Sequence, residues 1–384
     1  MGKGEEGRVM VKVKRLVETF IRLVETASVS GRESAVRDLL RQWFQQRGLT
    51  LVEDEAGQIL GGDSGNLLLQ IPGTIDGPTL LFAAHMDTVE PGIGVKAIVD
   101  EDGFIRSKGN TILGSDDKAA IAVLLEVFDI LKEKELSHPP LEFLFTVSEE
   151  QGLKGAKAFD FRQLKSKIAY VLDAGDKPGA IIIQSPCQNE MEYTALGRAA
   201  HAGINPEDGL NAIQLVAHAL AAMPCGRIDD ETTCNFGGIE GGTARNIVAE
   251  FCRVKGEARS LRREKLDLLS AELKEIFIAE VEKRGGKAEV VVKFLYPEIS
   301  LDKNEEVVQL AARAARSIGL KPHLLSTGGG SDASIINGQG IRCANLGVGM
   351  RAVHTCNEHI SIEDLVNDAR WVLAIIEEAA MMGE

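Results

Sequence analysis

The sequence predicts an α/β protein with a mainly parallel sheet, interrupted by an inserted α+β domain. Three observations carry this reading. Strand-like apolar runs alternate with helical segments over residues 49–172, as in a parallel sheet covered on both faces. Near Pro186 the rhythm changes to a β-α-β-β-α-β order, which is a complete ferredoxin-like unit by itself. From about Leu301 the first rhythm resumes. The expected domains are therefore 1–187 and 298–384 as two parts of one α/β domain, with 188–297 as the insert.

Residues 8–27 and 31–46 place apolar side chains at helical spacing: Leu16, Phe20, Leu23 and Val24, then Val36, Leu39, Leu40 and Phe44. Ser30 stands where an N-cap of the second helix belongs. Strands are expected at 49–53, 66–71 and 79–84. Pro91 to Asp102 reads as a loop with a short strand, and Gly109 to Ser115 as a glycine-punctuated turn. Asp116-Asp117-Lys118 then opens a long apolar helix from Ala119 to Lys132. Two further strands, 141–147 and 168–172, end in Ser148-Glu149-Glu150 and Asp173. The insert holds strands at 189–197, 231–236, 245–258 and 287–295, with helices at 209–222 and 262–284. The chain closes with helix 304–318, strands 322–326 and 341–346, and helix 361–379.

At 384 residues the chain exceeds the ~250–300 at which single cores usually divide. Its formal net charge of −14 argues against a nucleic-acid or anionic-membrane surface, both of which call for basic patches. Cys187, Cys225, Cys234, Cys252, Cys343 and Cys356 form no CxxC pair, which fits free thiols in a reducing compartment. The first residues, Met1-Gly-Lys-Gly-Glu-Glu-Gly, lack the apolar core of a signal peptide, and no apolar run approaches the ~20 residues of a membrane span. A soluble, cytoplasmic protein is expected.

The candidate chemistry begins at Thr79 to Thr88, an apolar run ending in His85 and, two residues on, Asp87. Strand ends are where open α/β sheets place ligands. His85 could face a metal there with Asp87 behind its second ring nitrogen, although a capped turn explains the same residues equally well. Asp116 and Asp117 sit at a helix start, where at least one is expected to serve as an N-cap. Glu149 and Glu150 are harder to explain structurally, because adjacent carboxylates at a buried strand end repel unless a cation or proton lies between them. Asp173 and His354 each follow a strand. Oxygen and nitrogen ligands from several strand ends suit zinc, at about four ligands per ion. Two ions need one bridging carboxylate and leave room for a bridging water. A remaining carboxylate must take that water's proton and pass it to the leaving amine, so Glu149 and Glu150 can divide the roles of base and ligand.

Read in order, the motifs are His85-Met-Asp87, Gly114-Ser-Asp116-Asp117-Lys118, Ser148-Glu149-Glu150, Asp173, Gly197-Arg-Ala-Ala-His201-Ala-Gly, Gly241-Gly-Thr-Ala-Arg245-Asn246 and His354. Over nearly its whole length the chain resembles the dinuclear-zinc exopeptidase superfamily that includes peptidase T, bacterial glutamate carboxypeptidase and aminoacylase. Val171-Leu-Asp-Ala-Gly175 and the full motif around His201 make it most similar to the peptidase T-like tripeptidase branch.

The resemblance implies a phosphorylase/hydrolase-like catalytic domain with a lid and dimerisation domain inserted at 188–297. It implies His85 and Asp173 on one zinc, Glu150 and His354 on the other, and Asp116 bridging them. Asp87 would orient His85, and Glu149 would act first as general base and then as acid. His201 would stabilise the oxyanion in the partner subunit's site. Arg245 and Asn246 would hold a substrate carboxylate or carbonyl, the planar guanidinium suiting the former. The implied activity is release of N-terminal residues from tripeptides by a homodimer with two zinc ions per subunit, cobalt or manganese being substitutes. A carboxypeptidase or N-acyl-amino-acid deacylase would use the same ligands, and a non-catalytic binding protein on the same fold is the remote alternative.

The other histidines read as structural. His218 is expected in the core of its helix, His138 in a loop and His323 at a strand start. His359 stands behind His354 as a ligand, and Cys356 is a bystander. Gly328-Gly-Gly330-Ser331-Asp332 lacks the lysine ending of a P-loop. It resembles the family's glycine turn, with Asp332 or backbone amides beside substrate, and Ser334 departs from the asparagine the family often carries.

Overall fold

The structure, a computed structural model, describes residues 11–382. The expected first helix over 8–27 therefore begins outside the described residues. By internal packing the chain forms two compact units. One comprises the chain up to Gln184 with Leu301–Thr327 and the stretch from Ser331 onward; the other comprises Ser185–Ser300 with Gly328–Gly330.

The first unit opens with α1 (Val13–Val24), α2 (Ser34–Gln45), β1 (Val52–Glu53), α3 (Ala56–Leu60), β2 (Leu67–Ile71), β3 (Leu80–His85), β4 (Ala97–Val99) and β5 (Phe104–Ser107). It continues through α4 (Ser115–Glu133), β6 (Leu141–Thr146), α5 (Lys154–Ala158), β7 (Ile168–Ala174) and β8 (Ala180–Ser185). The second unit holds β9 (Cys187–Leu196), α6 (Ala212–Ala222), β10 (Gly226–Asp229), β11 (Thr232–Gly241), β12 (Phe251–Ser260), α7 (Arg263–Glu282), β13 (Lys287–Tyr296) and β14 (Ile299–Ser300). The first unit resumes with α8 (Glu306–Ser317), β15 (His323–Ser326), α9 (Asp332–Gly338), β16 (Arg342–Gly347), β17 (His359–Ser361) and α10 (Ile362–Ala380).

The large sheet of the first unit runs β1-β2-β6-β3-β7-β16-β8, with β15 paired to β8. Its centre is parallel: β3 lies between β6 and β7, and β16 continues alongside β7. Every residue of β3 and β6 is buried, which is why both read as continuous apolar runs rather than alternating ones. Helix α4 is buried from Ser115 to Leu131 and packs against β3, α1 and α10. Its alanines at 119, 120 and 122 let it approach these neighbours closely. A separate small sheet, β17-β5-β4, joins a hairpin to the segment just after His354.

In the second unit the antiparallel order β11-β12-β9-β13, with α6 and α7 between strands in sequence, is the ferredoxin-like arrangement. Strand β10 adds to its β11 edge. Leu215 and Val216 of α6 and Leu273 and Phe277 of α7 join Met191 and Tyr193 of β9 in one apolar core.

Several elements differ from the sequence expectation. Helix α6 starts at Ala212 because Asn211 accepts the N–H groups of Ile213 and Gln214. His218 is exposed on that helix rather than part of the core. Strand β12 starts at Phe251, not 245: the residues before it run back along the 200–202 segment, with Val248 N–H donating to Ala200 C=O and Ala202 N–H to Asn246 C=O. Helix α2 starts at Ser34, so Ser30 caps nothing. The elements α3, β5, α5, β10, β14, α9 and β17 are too short to show periodicity in the sequence, and β8 lies outside the strands expected there.

Candidate metal centre

The parallel register lays the ends of β3, β6 and β7 side by side. Phe82 faces Phe143 and Tyr170, and His85 aligns with Thr146. His85 thus ends β3, β6 runs on into Ser148-Glu149-Glu150, and Asp173 stands near the end of β7. Pairing stops at this edge while the buried strands hold it rigidly.

Asp116 and Asp117 enter from the start of α4. Gly114 before them takes φ 78°, and both aspartates have non-helical backbone angles, so the regular helix begins only after them. The expectation that one caps the helix is corrected here, because no side-chain cap hydrogen bond forms and both carboxylates face elsewhere. Asp116 Oδ1 lies 2.9 Å from His85 Nε2, and its Oδ2 lies 3.2 Å from His354 Nε2. Asp117 Oδ2 accepts the His85 backbone N–H at 3.2 Å, while its buried Oδ1 has no hydrogen-bond partner.

His85 Nδ1 is 2.9 Å from the backbone carbonyl of Asp87 and 3.5 Å from its carboxylate. The carbonyl therefore takes the hydrogen bond, and the carboxylate acts on the ring through charge. That carboxylate is itself fully buried and accepts three donors: Ser30 Oγ–H at 2.6 Å, Glu149 N–H at 2.9 Å and Glu150 N–H at 3.2 Å. Ser30 thus serves the site rather than a helix. A second buried carboxylate, Glu33, accepts the Ser148 N–H at 3.0 Å and the Gly31 N–H at 2.8 Å. Ser148 sits at φ 50°, a conformation that costs a non-glycine residue energy and is held here from both sides. Glu33 carries no motif in the sequence, so nothing there could single it out.

Glu150 Oε1 lies 2.8 Å from His354 Nε2, and Asp173 Oδ1 lies 3.9 Å from His85 Nε2. One ligand atom each from His85, Asp116 and Glu150 falls within 4.8 Å of the others, as does one each from His85, Asp117 and Asp173. In the second group Asp117 is already engaged by a backbone N–H, whereas among the described residues no donor reaches the Asp173 carboxylate; Asp173 is the better ligand of the two. Asp332, at the start of α9, adds a further buried carboxylate, with Oδ2 accepting from Thr146 Oγ at 2.5 Å and Oδ1 unpartnered.

Charge at this edge is unbalanced. Asp87, Asp116, Asp117, Glu149, Glu150, Asp173 and Asp332 meet two imidazoles. Unit charges 4 Å apart repel by ~4 kcal/mol at an effective dielectric of about 20, so such a set cannot stay fully ionised without cations. Burial and neighbouring carboxylates, Asp173 for Glu149 and Asp116 for Asp173, push both acids well above the usual carboxylate range. Burial raises Asp332 to about 6. Burial alone would lower His85, but Asp116 and Asp87 outweigh it and hold it well above the ordinary histidine value. His354, hydrogen-bonded to Asp116 and Glu150, is raised to about 10. Protons thus fill the places that divalent ions would neutralise, and the donor set of imidazole and carboxylate is one zinc accepts.

His201, Arg245 and Asn246 lie in the second unit and are exposed. His201 Nδ1 accepts the N–H groups of Gly203 at 3.1 Å and Ile204 at 3.2 Å. In the neutral ring the proton then sits on Nε2, leaving that nitrogen a donor. Backbone pairing of His201 with Ile247 keeps Arg245 and Asn246 close by in the same unit.

The remaining candidates are placed as follows. His359 packs its ring edge-on to Phe104, with Nδ1 2.8 Å from Asn357 C=O. His138 is buried with Nδ1 2.8 Å from Pro139 C=O, and His323 is exposed at the start of β15. All six cysteines are free, Cys356 exposed among them. No helix among the described residues is long and apolar enough to cross a membrane.

Comparison with known proteins places this arrangement in a family. Residues 81–378 match peptidase family M20/M25/M40, and the chain belongs to that family. It is 43% identical to a crystal structure of aminopeptidase PepT from Bacillus cereus, with TM-score 0.91, covering 97% of this chain and 100% of that one. A tripeptidase structure from Staphylococcus aureus is 40% identical with TM-score 0.93, over 97% and 100% of the two chains. The uncharacterised protein YqjE of Bacillus subtilis is 43% identical over 371 residues, 97% of this chain and 100% of its own length.

Proposed function

We propose that this chain is a metal-dependent aminopeptidase that releases the N-terminal residue of short peptides, tripeptides foremost. Family membership and the two full-length neighbours named aminopeptidase PepT and tripeptidase support the reaction class. One observation carries the two-ion reading: Asp116 presents one oxygen to each of two histidines, His85 and His354, within a cluster too rich in carboxylates to stand without cations. His85 and Asp173 would hold one ion and Glu150 and His354 the other, with Asp116 offering an oxygen to each. Zinc fits the donors, with cobalt or manganese as substitutes. When bound, the ions acidify a water and polarise the scissile carbonyl.

The protein's own residues do the rest. Glu149 takes the water's proton and returns it to the departing amine. Asp87 fixes the His85 ring and the Glu149 backbone together. In the second unit, His201 offers its Nε2–H to a developing oxyanion, and Arg245 and Asn246 hold a substrate carboxylate or carbonyl. That unit serves as lid and dimerisation surface, so His201 acts in the partner subunit's site. The protein works in the cytoplasm.

Tripeptides blocked at either end test the reaction. Blocking the α-amino group should abolish cleavage, and blocking the carboxyl end should weaken binding. Cleavage of an N-acylated substrate at the free peptide's rate would instead make the enzyme a carboxypeptidase or deacylase.

A further inference from the structure

The loop that delivers Asp116 is held by a residue far away in sequence. Glu358 is buried, and both its oxygens are used twice. Oε2 accepts the N–H groups of Leu113 and Gly114, each at 2.8 Å. Oε1 accepts Ser115 Oγ–H at 2.6 Å and Asp116 N–H at 3.1 Å. Four consecutive residues thus converge on one carboxylate, the last of them Asp116. With its oxygens committed in this way, Glu358 is no ion ligand.

The other end of the connection is equally fixed. Arg351 and His359 exchange backbone hydrogen bonds at 2.9 and 3.0 Å, closing the base of the loop that carries His354. Glu358 N–H donates to Thr355 C=O at 3.1 Å within that loop. Directly after it, β17 pairs with β5 through Ile360 and Ile105. Glu358 therefore ties the Asp116 loop to the His354 loop across 242–245 positions of sequence.

We infer that Glu358 is a positioning residue that sets Asp116 against His354 and so fixes how tightly the centre holds its ions. This rests on the two-ion reading above. Glutamine has nearly the same shape but replaces one acceptor oxygen with an NH2 group, which would face two N–H or O–H donors and leave them unpaired. Asp116 would then lose its restraint while every ligand atom remained. Removing such outer partners typically weakens metal binding by about 10–100-fold.

The test uses the full chain as wild type, Glu358→Gln and Glu142→Gln, each stripped of metal and titrated with zinc against a chelating indicator. Glu142 is the control: another buried carboxylate, it accepts the N–H groups of Lys165 at 3.1 Å and Ser166 at 3.1 Å, and it belongs to no part of the centre. Melting of the metal-free proteins is recorded alongside. Glu358→Gln should bind zinc about 10–100-fold more weakly, whereas Glu142→Gln should bind as wild type does even where it melts as early. Should Glu358→Gln fail to fold, Ser115→Ala, which removes one of the four donors, should also weaken binding. Zinc affinity unchanged in Glu358→Gln, or in Ser115→Ala if that variant has to stand in, overturns the positioning role alone. No zinc binding by the wild type overturns the two-ion reading, and this inference with it.

Discussion

Asp87 holds Glu149 by the backbone: its Oδ1 accepts the Glu149 N–H at 2.9 Å while lying 3.5 Å from His85 Nδ1. One buried carboxylate therefore sets both the imidazole proposed to face a metal and the residue proposed to move the proton. Asp87→Asn should damage both at once, because an amide cannot accept from Ser30, Glu149 and Glu150 together. A fall of about 10–100-fold in zinc affinity, accompanied by a lower kcat at saturating zinc, is expected. Loss of affinity with normal kcat in the loaded enzyme would confine Asp87 to the imidazole.

Glu149→Gln separates chemistry from metal loading. No ligand is removed, so metal content per chain should match the wild type, while kcat should fall by about 10²–10⁴, the usual worth of a general base. Elemental analysis beside steady-state kinetics checks both halves. Near-normal turnover would remove Glu149 from its role.

Protonation of the metal-free cluster gives a pH prediction with a definite sign. His85 and His354 have folded values above the ordinary histidine value, His354 at about 10. Their stabilisation of the metal-free protein is complete below about 6.5 and is lost as pH rises through the folded values. Glu149 and Asp173 are raised as well, and the same sign applies to them from about pH 4 upward. The melting temperature of chelator-treated protein should therefore fall as pH increases from about 6.5 to 10. Zinc must displace these protons, so binding should release protons and strengthen with pH. Calorimetry in buffers of different ionisation enthalpy measures the release; proton uptake on binding would contradict the assignment.

If His201 works across a dimer, two inactive variants should help each other. Mixed His201→Ala and Glu149→Gln chains can pair an intact Glu149 site with an intact His201 donated by its partner. Activity recovered on mixing, approaching one quarter of wild type for random pairing of equal amounts with one competent site in each mixed dimer, is the expected result. Stable mixed dimers with no gain would place His201 in its own subunit's site.

Much of this centre was legible in the sequence because strands buried on both faces advertise their ends. His85, Glu149, Glu150 and Asp173 each follow an apolar run that only a central parallel strand explains, and all four lie at one edge of the sheet. What remained hidden was the set of hydrogen bonds behind them. Ser30 resembled a helix cap by local rules, yet its hydroxyl turns to Asp87, 57 positions away. Asp116 and Asp117 likewise invited a capping role, but the Asp116 carboxylate turns to His85 and His354 and that of Asp117 to the His85 backbone N–H. Glu33 and Glu358 look like ordinary surface glutamates until long-range packing buries them. His218 erred the other way: the buried face of α6 runs through Ala212, Leu215, Val216 and Ala219 and leaves His218 outside it. Local patterns report which side chains are apolar, whereas the partner of a buried carboxylate depends on contacts that no short window contains.

The strand order has a consequence for how the enzyme is made. Strand β16, from the last part of the chain, lies between β7 and β8, which are synthesised much earlier. A nascent chain must therefore keep a gap in the middle of its sheet until the final segment arrives, and the segment that fills the gap leads directly to His354 and Glu358. Since chains emerge from the ribosome N-terminus first, a partly synthesised molecule has Glu149 but lacks two of the parts that complete its centre. On the proposed ligand set, a product that stops before β16 has neither a complete central sheet nor His354 to hold the second ion.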